Sequence, residues 1–203
     1  MTEPLVVAID GPAGSGKSTV ARAVAARLGL EVLDTGSMYR AVTSLALRAG
    51  VDPHDPDKVT LLAASSDLCV GDRVTADGVD LTETLRSDAV NGLVSLVAAI
   101  PGVRRVLVER QRAWVAEHGG GVVEGRDIGS VVFPSASVKV YLTASHSERA
   151  RRRGDEAPES VAKRDLLDGG RAVSPLVAAS DAHVLDTTDR AIDDVVEEVL
   201  SWL

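Results

Sequence analysis

The sequence feature that most constrains the fold is the segment Gly11-Pro12-Ala13-Gly14-Ser15-Gly16-Lys17-Ser18. It matches the pattern G-x-x-x-x-G-K-[ST], a glycine-rich loop whose backbone amides surround phosphate groups. Residues 5–9 form a short apolar run rich in β-branched side chains, which predicts a buried strand. Residues 19–28 carry apolar side chains at helical spacing, and Gly29 ends that helix. This strand, loop and helix order favours a phosphate-binding loop over a glycine-rich turn without a ligand.

The residue types in this loop suit a nucleoside triphosphate. A helix N-terminus offers unsatisfied N–H groups and the positive end of the helix dipole, and glycines let the backbone approach the phosphates. Lys17 would place its charge on the β- and γ-phosphate oxygens. The Ser18 hydroxyl is a hard oxygen ligand of the kind that Mg²⁺ prefers. The motif therefore predicts nucleotide binding, but it leaves the reaction open.

Composition sets limits on the partners. The chain has 203 residues, with 22 basic and 30 acidic side chains and a net charge of −8, which argues against broad nucleic-acid or membrane-surface binding.

The single cysteine, Cys69, cannot form a disulfide within the chain, and we expect it to be buried in a strand. No segment resembles a signal peptide or a membrane span, so the expected location is the cytoplasm. Without a sustained heptad pattern, we expect a monomer.

The remaining pattern predicts an α/β core interrupted by an insertion. Short apolar strands alternate with helices over most of the chain, which indicates a doubly wound parallel sheet. Residues 68–81 instead predict short antiparallel strands, with a hairpin signal at Asp77-Gly78. We therefore expect residues 1–51 and 86–203 to form the core and residues 52–85 to form an inserted subdomain.

Charged residues follow a predicted strand that ends in Glu124. A carboxylate at this position can organise the surroundings of a Mg²⁺ ion. Arg126 and Asp127 come directly afterwards. Because ligands bind beyond the carboxyl ends of strands in open parallel sheets, we expect these side chains beside the phosphate-binding loop. The alternative is a surface Arg–Asp ion pair in a turn.

Arginines recur at predicted strand ends and hinges, and they suggest a second anionic substrate. These residues are Arg40, Arg104, Arg126, Arg153, Arg164 and Arg171. Residues 154–171 combine such arginines with acids and a glycine pair, which suggests a short lid that excludes water. Phosphoryl transfer depends on positioning phosphates and screening charge, to which planar guanidinium groups are suited. The pattern favours a small-molecule kinase with a phosphorylated acceptor. The alternative for Arg40 and for residues 149–153 is that these side chains lie on solvent-exposed parts of helices and bind no anion.

Several motifs, in order along nearly the whole chain, resemble those of bacterial cytidylate kinases. They are Ile9-Asp10-Gly11-Pro12, Leu33-Asp34-Thr35-Gly36-Ser37-Met38-Tyr39-Arg40, Gly125-Arg126-Asp127-Ile128-Gly129, Arg164-Asp165 with Asp168 and Arg171, and Ser174-Pro175-Leu176. The resemblance implies a P-loop nucleoside monophosphate kinase fold, with about five parallel strands and an inserted subdomain that binds the nucleoside monophosphate. It implies transfer of the γ-phosphate of ATP to CMP or dCMP, giving CDP or dCDP and ADP, in pyrimidine nucleotide metabolism.

The resemblance also implies roles for individual residues. ATP would be bound by Gly11, Pro12, Ala13, Gly14, Ser15, Gly16, Lys17, Ser18, Thr19 and Arg153. The substrate would be bound through its phosphate by Arg40, Arg126 and Arg171, through its base by Ser95, Arg104 and Asp127, and elsewhere by Thr35, Arg164 and Asp168. Catalysis would depend on Lys17, Arg126, Arg164 and Arg171. Ser18 would bind Mg²⁺ directly, and Glu124 would support the metal from outside its direct ligands.

The chemistry of cytosine agrees with part of this set, and two rival functions remain. Cytosine presents an amino donor and two acceptors, which a carboxylate, an arginine and a hydroxyl complement. One rival is a P-loop kinase for adenylate, shikimate or gluconate. The other is a nucleotide-dependent switch without turnover, which CMP-dependent consumption of ATP would exclude.

Overall fold

The computed structural model describes residues 4–152 and 177–203. The predicted lid and four predicted site residues, Arg153, Arg164, Asp168 and Arg171, lie outside this part of the chain. The chain divides into two compact units, one of Met1–Leu33 with Trp114–Leu203 and one of Asp34–Ala113. The predicted insertion falls inside the second unit, which extends beyond residues 52–85 on both sides. Its role as a nucleotide-binding subdomain stays a prediction.

The elements in the described residues are eight strands and seven α-helices. The strands are β1 (Leu5–Asp10), β2 (Val32–Asp34), β3 (Leu68–Val70), β4 (Val74–Ala76), β5 (Val79–Asp80), β6 (Gly120–Gly125), β7 (Val138–Thr143) and β8 (His183–Asp186). The helices are α1 (Lys17–Leu28), α2 (Thr35–Arg48), α3 (Pro56–Ser65), α4 (Asp88–Ala99), α5 (Pro101–His118), α6 (His146–Arg152) and α7 (Ile192–Leu200). A 3₁₀ helix spans Thr84–Arg86, and a π-helix spans Ile128–Val132.

The first unit is built on a parallel five-stranded sheet with the order β2-β6-β1-β7-β8, which confirms the predicted fold class. β1 lies at its centre, and Val7 and Ile9 in it are fully buried. Asp10, the last residue of β1, pairs with Gly125 of β6 and Tyr141 of β7. The carboxyl ends of three neighbouring strands therefore lie at the same edge of the sheet.

Two helices cover one face of this sheet with aliphatic side chains. α1 buries Val20 and Val24, and α7 buries Val195 and Val199, in one cluster with side chains of β1, β6, β7 and β8. Because only 2% of the residues are aromatic, this core is built almost entirely from branched aliphatic groups and alanine. The close packing of β-branched side chains holds β1, and with it the start of the phosphate-binding loop, in a fixed position.

The second unit contains a three-stranded antiparallel sheet with the order β3-β4-β5. A small core that includes Ala41, Val74, Leu81 and Leu85 packs this sheet against α2. Among the described helices, no single one is long and apolar enough to cross a membrane, although α4 and α5, which meet at 91°, pass that test as a bent pair.

α2 begins at Thr35, because Asp34 caps the helix by accepting a hydrogen bond from the backbone N–H of Ser37 at 3.2 Å. One prediction in this unit was wrong. Cys69 lies in the predicted strand but is exposed rather than buried. β3 is an edge strand, and its alternating side chains place Cys69 on the outward face.

The β4–β5 hairpin offers a test of backbone strain. Its two loop residues, Asp77 and Gly78, have φ values of 51° and 76°, which confirms the predicted hairpin signal. No atom lies within 4 Å of a Cβ added at Gly78. We expect Gly78→Ala to lower the free energy of unfolding by about 1 kcal/mol, since an alanine Cβ disfavours the left-handed region.

Gly71 is the matched control, because it is equally open but does not have a left-handed φ. Gly71→Ala should leave the urea unfolding curve within about 0.5 kcal/mol of wild type. An equal decrease in the free energy of unfolding in Gly78→Ala and Gly71→Ala would contradict the explanation by backbone strain at Gly78.

Candidate active site

The phosphate-binding loop leads from β1 directly into α1, as the motif predicts. The N-cap of α1 is Gly16, with a φ of 91° and no capping hydrogen bond from its side chain. The first amides of α1 are therefore not occupied by a capping side chain, and they can bind an anion. The Ser15 hydroxyl is fully buried and has no hydrogen-bond partner among the described residues. A phosphate oxygen would complete its hydrogen bonding.

The carbonyl side of the loop is held by three residues that we call the carbonyl brace: Arg149, Arg152 and Thr187. Arg149 Nη1 donates to the Ala13 oxygen at 3.2 Å, Arg152 Nη1 to the Gly14 oxygen at 3.5 Å and Thr187 Oγ1 to the Ser15 oxygen at 3.0 Å. A Cβ at Gly14 would lie 2.7 Å from the backbone oxygen of Arg149. This contact explains why glycine is required at position 14.

The brace shows that two arginines of the run in α6 contact the loop backbone, whereas the Arg151 side chain is 73% exposed and is a solvated position. Arg149 is only 7% exposed and Arg152 also donates to Thr187 Oγ1 at 2.9 Å, so neither is a solvated helix end. Glu148 pairs with Arg151 and Arg152, each at 2.7 Å, and these hydrogen bonds hold the pKa of Glu148 at about 2. The acid therefore remains ionised at neutral pH and orients Arg152 toward the loop.

A hydroxyl and a carboxylate meet beside the loop. Ser18 Oγ donates to Glu124 Oε2 at 3.0 Å, and Glu124 is 4% exposed. Lys17 Nζ donates to the Pro12 oxygen at 2.8 Å. The Ser18 hydroxyl and the Glu124 carboxylate fit Mg²⁺, which takes hard oxygen ligands and usually keeps several waters and substrate phosphates.

Asp10 connects the end of β1 to the turn that carries Arg126 and Asp127. Its two carboxylate oxygens accept the backbone N–H groups of Ile128 and Gly129, each at 2.7 Å. Burial raises the pKa of Asp10 from 3.8 to about 6, the two N–H donors oppose that shift, the Asp127 charge adds to it, and the Lys17 charge opposes it. The carboxylate is therefore ionised at neutral pH, although ionisation is costly at this position.

The structure places Arg126 and Asp127 directly after β6, as the sequence predicts. Asp127 is 5% exposed, and its backbone oxygen accepts the N–H of Val131 at 2.9 Å within the π-helix. Arg126 is half-buried. A surface ion pair in a turn does not describe this arrangement, since neither residue is exposed.

In the second unit, four predicted substrate residues lie on α2, α4 and α5. Arg40 Nη1 donates to the Leu85 oxygen at 2.9 Å and to Asn91 Oδ1 at 2.6 Å, so Arg40 is not a solvated surface residue. The Arg104 guanidinium lies 5.6 Å from the centre of the Tyr39 ring. Ser95 is half-buried one turn after Asn91. Thr35 is buried at the start of α2.

Sequence reasoning gave no individual role to several residues that organise these groups, although Asp10 and Tyr39 lie in the quoted motifs and Arg149 lies in the arginine run. They are Asp10, Tyr39, Asn91, Arg149 and Thr187. A signal was available for Asn91, because it precedes Ser95 by four residues and so shares its helix face. The partners of Asp10 and Arg149 are distant in sequence, and no local pattern marks them.

The parallel sheet, the loop between β1 and α1 and the Ser18–Glu124 pair define a P-loop kinase. A gluconokinase from Sinorhizobium meliloti has a similar fold, with a TM-score of 0.52 and 15% identity over 100% of this chain and 93% of that chain.

The chain belongs to the cytidylate kinase family, whose model matches residues 7–203. It is 47% identical to the cytidylate kinase of Desulforamulus reducens, over 100% of this chain and 98% of that protein. It is also 47% identical to the cytidylate kinase of Rhodococcus opacus, over 98% and 94% of the two chains. The resemblance seen in the sequence motifs is confirmed.

The raised pKa of Asp10 predicts a pH dependence of stability. The folded protein binds a proton at Asp10 below about pH 6, whereas the unfolded chain does so only below about 3.8. The contribution of Asp10 to stability is therefore greatest below pH 3.8 and falls as the pH rises to 6. We expect the stability of wild type relative to Asp10→Asn to fall by about 3 kcal/mol across this window.

Urea unfolding of both proteins between pH 4 and 8 measures this difference. If the free energies of unfolding of wild type and Asp10→Asn changed with pH in parallel, the assignment of a raised pKa to Asp10 would be contradicted.

Proposed function

We propose that this protein transfers the γ-phosphate of ATP to CMP or dCMP, giving CDP or dCDP and ADP. The observation that carries the proposal is similarity over nearly full length to proteins named cytidylate kinase, at 47% identity. The fold likeness to a gluconokinase, at 15% identity, concerns the fold alone. The arrangement of groups around the phosphate-binding loop supports the same reaction type.

ATP would bind with its phosphates on the amides of the loop and of α1. Residues 11–19 would surround the β- and γ-phosphates, with the Ser15 hydroxyl completing the contact. Lys17 would leave the Pro12 oxygen, 2.8 Å away here, and place its ammonium group on the transferring phosphate. The carbonyl brace would keep the loop oxygens directed away from these anions, because each of three successive carbonyls has a donor.

Ser18 and Glu124 would hold Mg²⁺ beside these phosphates. The Ser18 hydroxyl is a direct ligand in this proposal, and the buried Glu124 carboxylate, 3.0 Å from it, would accept hydrogen bonds from the metal's waters. When bound, the ion neutralises charge on the β- and γ-phosphate oxygens.

Arg40 and Arg126 are proposed to bind the acceptor phosphate, and Arg171 is expected to join them from the resemblance. The Arg40 guanidinium is oriented by Asn91 and the Leu85 oxygen, which limits its freedom before substrate arrives. Arg164 and Arg153 remain predictions for catalysis and ATP binding, and Asp168 for the sugar. Because a nucleotide phosphate is already ionised at neutral pH, the reaction needs no general base.

Asp127, Arg104 and Ser95 are proposed to recognise cytosine. A carboxylate accepts from the N4 amino group of cytosine, whereas uracil presents an oxygen at that position, which the carboxylate repels. Tyr39 supports the Arg104 guanidinium through its ring face. Small-molecule substrates, a monomeric state and a cytoplasmic location complete the proposal.

Coupled release of ADP tests the proposed function. Purified protein with ATP and Mg²⁺ is assayed against CMP, dCMP, UMP, AMP, GMP, shikimate and gluconate. We expect fast turnover with CMP and dCMP and little with the others. Fast turnover with a different acceptor would retain the kinase class and refute the cytosine assignment.

Lys17→Ala should lower kcat/KM by about 100-fold or more, because the lost charge acts on the transferring phosphate. Lys58→Ala is the control, since Lys58 is an exposed lysine paired with Asp55 on the surface. Wild-type turnover in Lys17→Ala would refute the role of the loop.

Asp127→Ala should lower the ratio of kcat/KM for CMP to that for UMP by about tenfold or more, since a charge-assisted hydrogen bond to the base is lost. Asp72→Ala, at an exposed position, should leave the ratio unchanged. An unchanged ratio in Asp127→Ala would remove this residue from base recognition.

A further inference from the structure

We propose that Asp10 is a positioning residue for the acceptor, which it orients by holding the turn that carries Arg126 and Asp127. We call residues 125–129 the Arg-Asp turn. The inference rests on the proposed function, because Arg126 and Asp127 bind the acceptor only in that proposal. It concerns only groups of the first unit.

The contact is bidentate and buried. Asp10 is 5% exposed, and each of its two carboxylate oxygens accepts one backbone N–H, from Ile128 and from Gly129, at 2.7 Å. These amides are the first two after Asp127. Two short hydrogen bonds from one planar group fix both the position and the orientation of the peptides that they hold.

The Arg-Asp turn also packs against a lysine. A Cβ at Gly129 would lie 3.2 Å from side-chain carbons of Lys139, so the turn and this side chain are in close contact. Lys139 is 8% exposed, and its Nζ donates to the Pro134 oxygen and to Asp181 Oδ2. The turn is thus held by the end of β1 and packed against a tethered side chain of β7.

A carboxylate at this position is costly to the fold, which favours a specific role for it. Burial and the nearby Asp127 both raise the pKa of Asp10, to about 6. An asparagine of the same shape offers only one acceptor, and its NH₂ group would face a backbone N–H. Only a carboxylate presents two acceptors to two neighbouring amides in this geometry.

The kinetic consequence falls on the acceptor rather than on ATP. If the turn shifts, Arg126 and Asp127 shift with it, whereas the carbonyl brace and the α1 amides keep their own partners. A displacement of about 1 Å at a positioning group can cost on the order of 100-fold. We therefore expect Asp10→Asn to raise KM for CMP by about 10- to 100-fold and to leave KM for ATP within about twofold.

The test compares wild type, Asp10→Asn, Asp10→Glu and the exposed control Asp72→Asn at pH 8, with KM for CMP, KM for ATP and the CMP-to-UMP ratio measured for each. Circular dichroism establishes which variants are folded. A rise in KM for CMP and a lower CMP-to-UMP ratio in a folded variant, with KM for ATP unchanged, support the proposal. Asp10→Glu keeps the charge but lengthens the side chain, and a smaller effect than in Asp10→Asn would identify the acceptor oxygens as the cause.

Three results would overturn the proposal. A folded Asp10→Asn protein with wild-type KM for CMP shows that the turn does not need Asp10. Equal increases in KM for CMP and in KM for ATP show that Asp10 supports the phosphate-binding loop rather than the acceptor. Unfolding of both Asp10 variants makes the residue a requirement of the fold rather than a positioning residue.

The results with wild-type protein distinguish a failure of this inference from a failure of the proposed function. Wild-type protein that does not phosphorylate CMP refutes the proposed function. Where another acceptor is turned over instead, the same comparison of KM values is made with that acceptor, and it tests Asp10 independently.

Discussion

A phosphate-binding loop needs its amides directed at the ligand and its carbonyl oxygens satisfied elsewhere, and the rest of the first unit depends on this division. Gly16 leaves the amides of α1 without a capping side chain, while Arg149, Arg152 and Thr187 donate to three successive carbonyls. A loop backbone held in this way need not rearrange when an anion arrives, and only the Lys17 side chain would leave its partner, the Pro12 oxygen. Preorganised dipoles of this kind stabilise developing charge more effectively than groups that must reorient.

The parallel sheet brings the other chemical groups to the same edge. Because β1, β6 and β7 run in one direction, Asp10 pairs with Gly125 and Tyr141. The phosphate-binding loop and the Arg-Asp turn therefore leave the sheet at the same edge, where Glu124 lies near the end of β6. Glu124 reaches Ser18, and Asp10 reaches the backbone of the turn. Both carboxylates link segments that are distant in sequence, so the site is defined by strand register rather than by any single motif.

Much of the fold and part of the site could be predicted from sequence, and the limits have physical causes. The strand before the loop, the helix after it and the placement of Glu124 follow from local periodicity and motif spacing. The exposure of Cys69 depended on which face of an edge strand met the core, which the local pattern does not fix. The partners of Asp10 and Arg149 are 118 and 136 residues away, so only the tertiary structure shows them.

The central claim, phosphoryl transfer from ATP to a cytidine monophosphate, is tested most directly by identifying the products. Phosphorus NMR of a reaction mixture with ATP, Mg²⁺ and CMP follows each phosphate through the reaction. We predict CDP and ADP in equal amounts, with no net release of inorganic phosphate. ADP with inorganic phosphate and no CDP would indicate hydrolysis instead of transfer, and it would contradict this account.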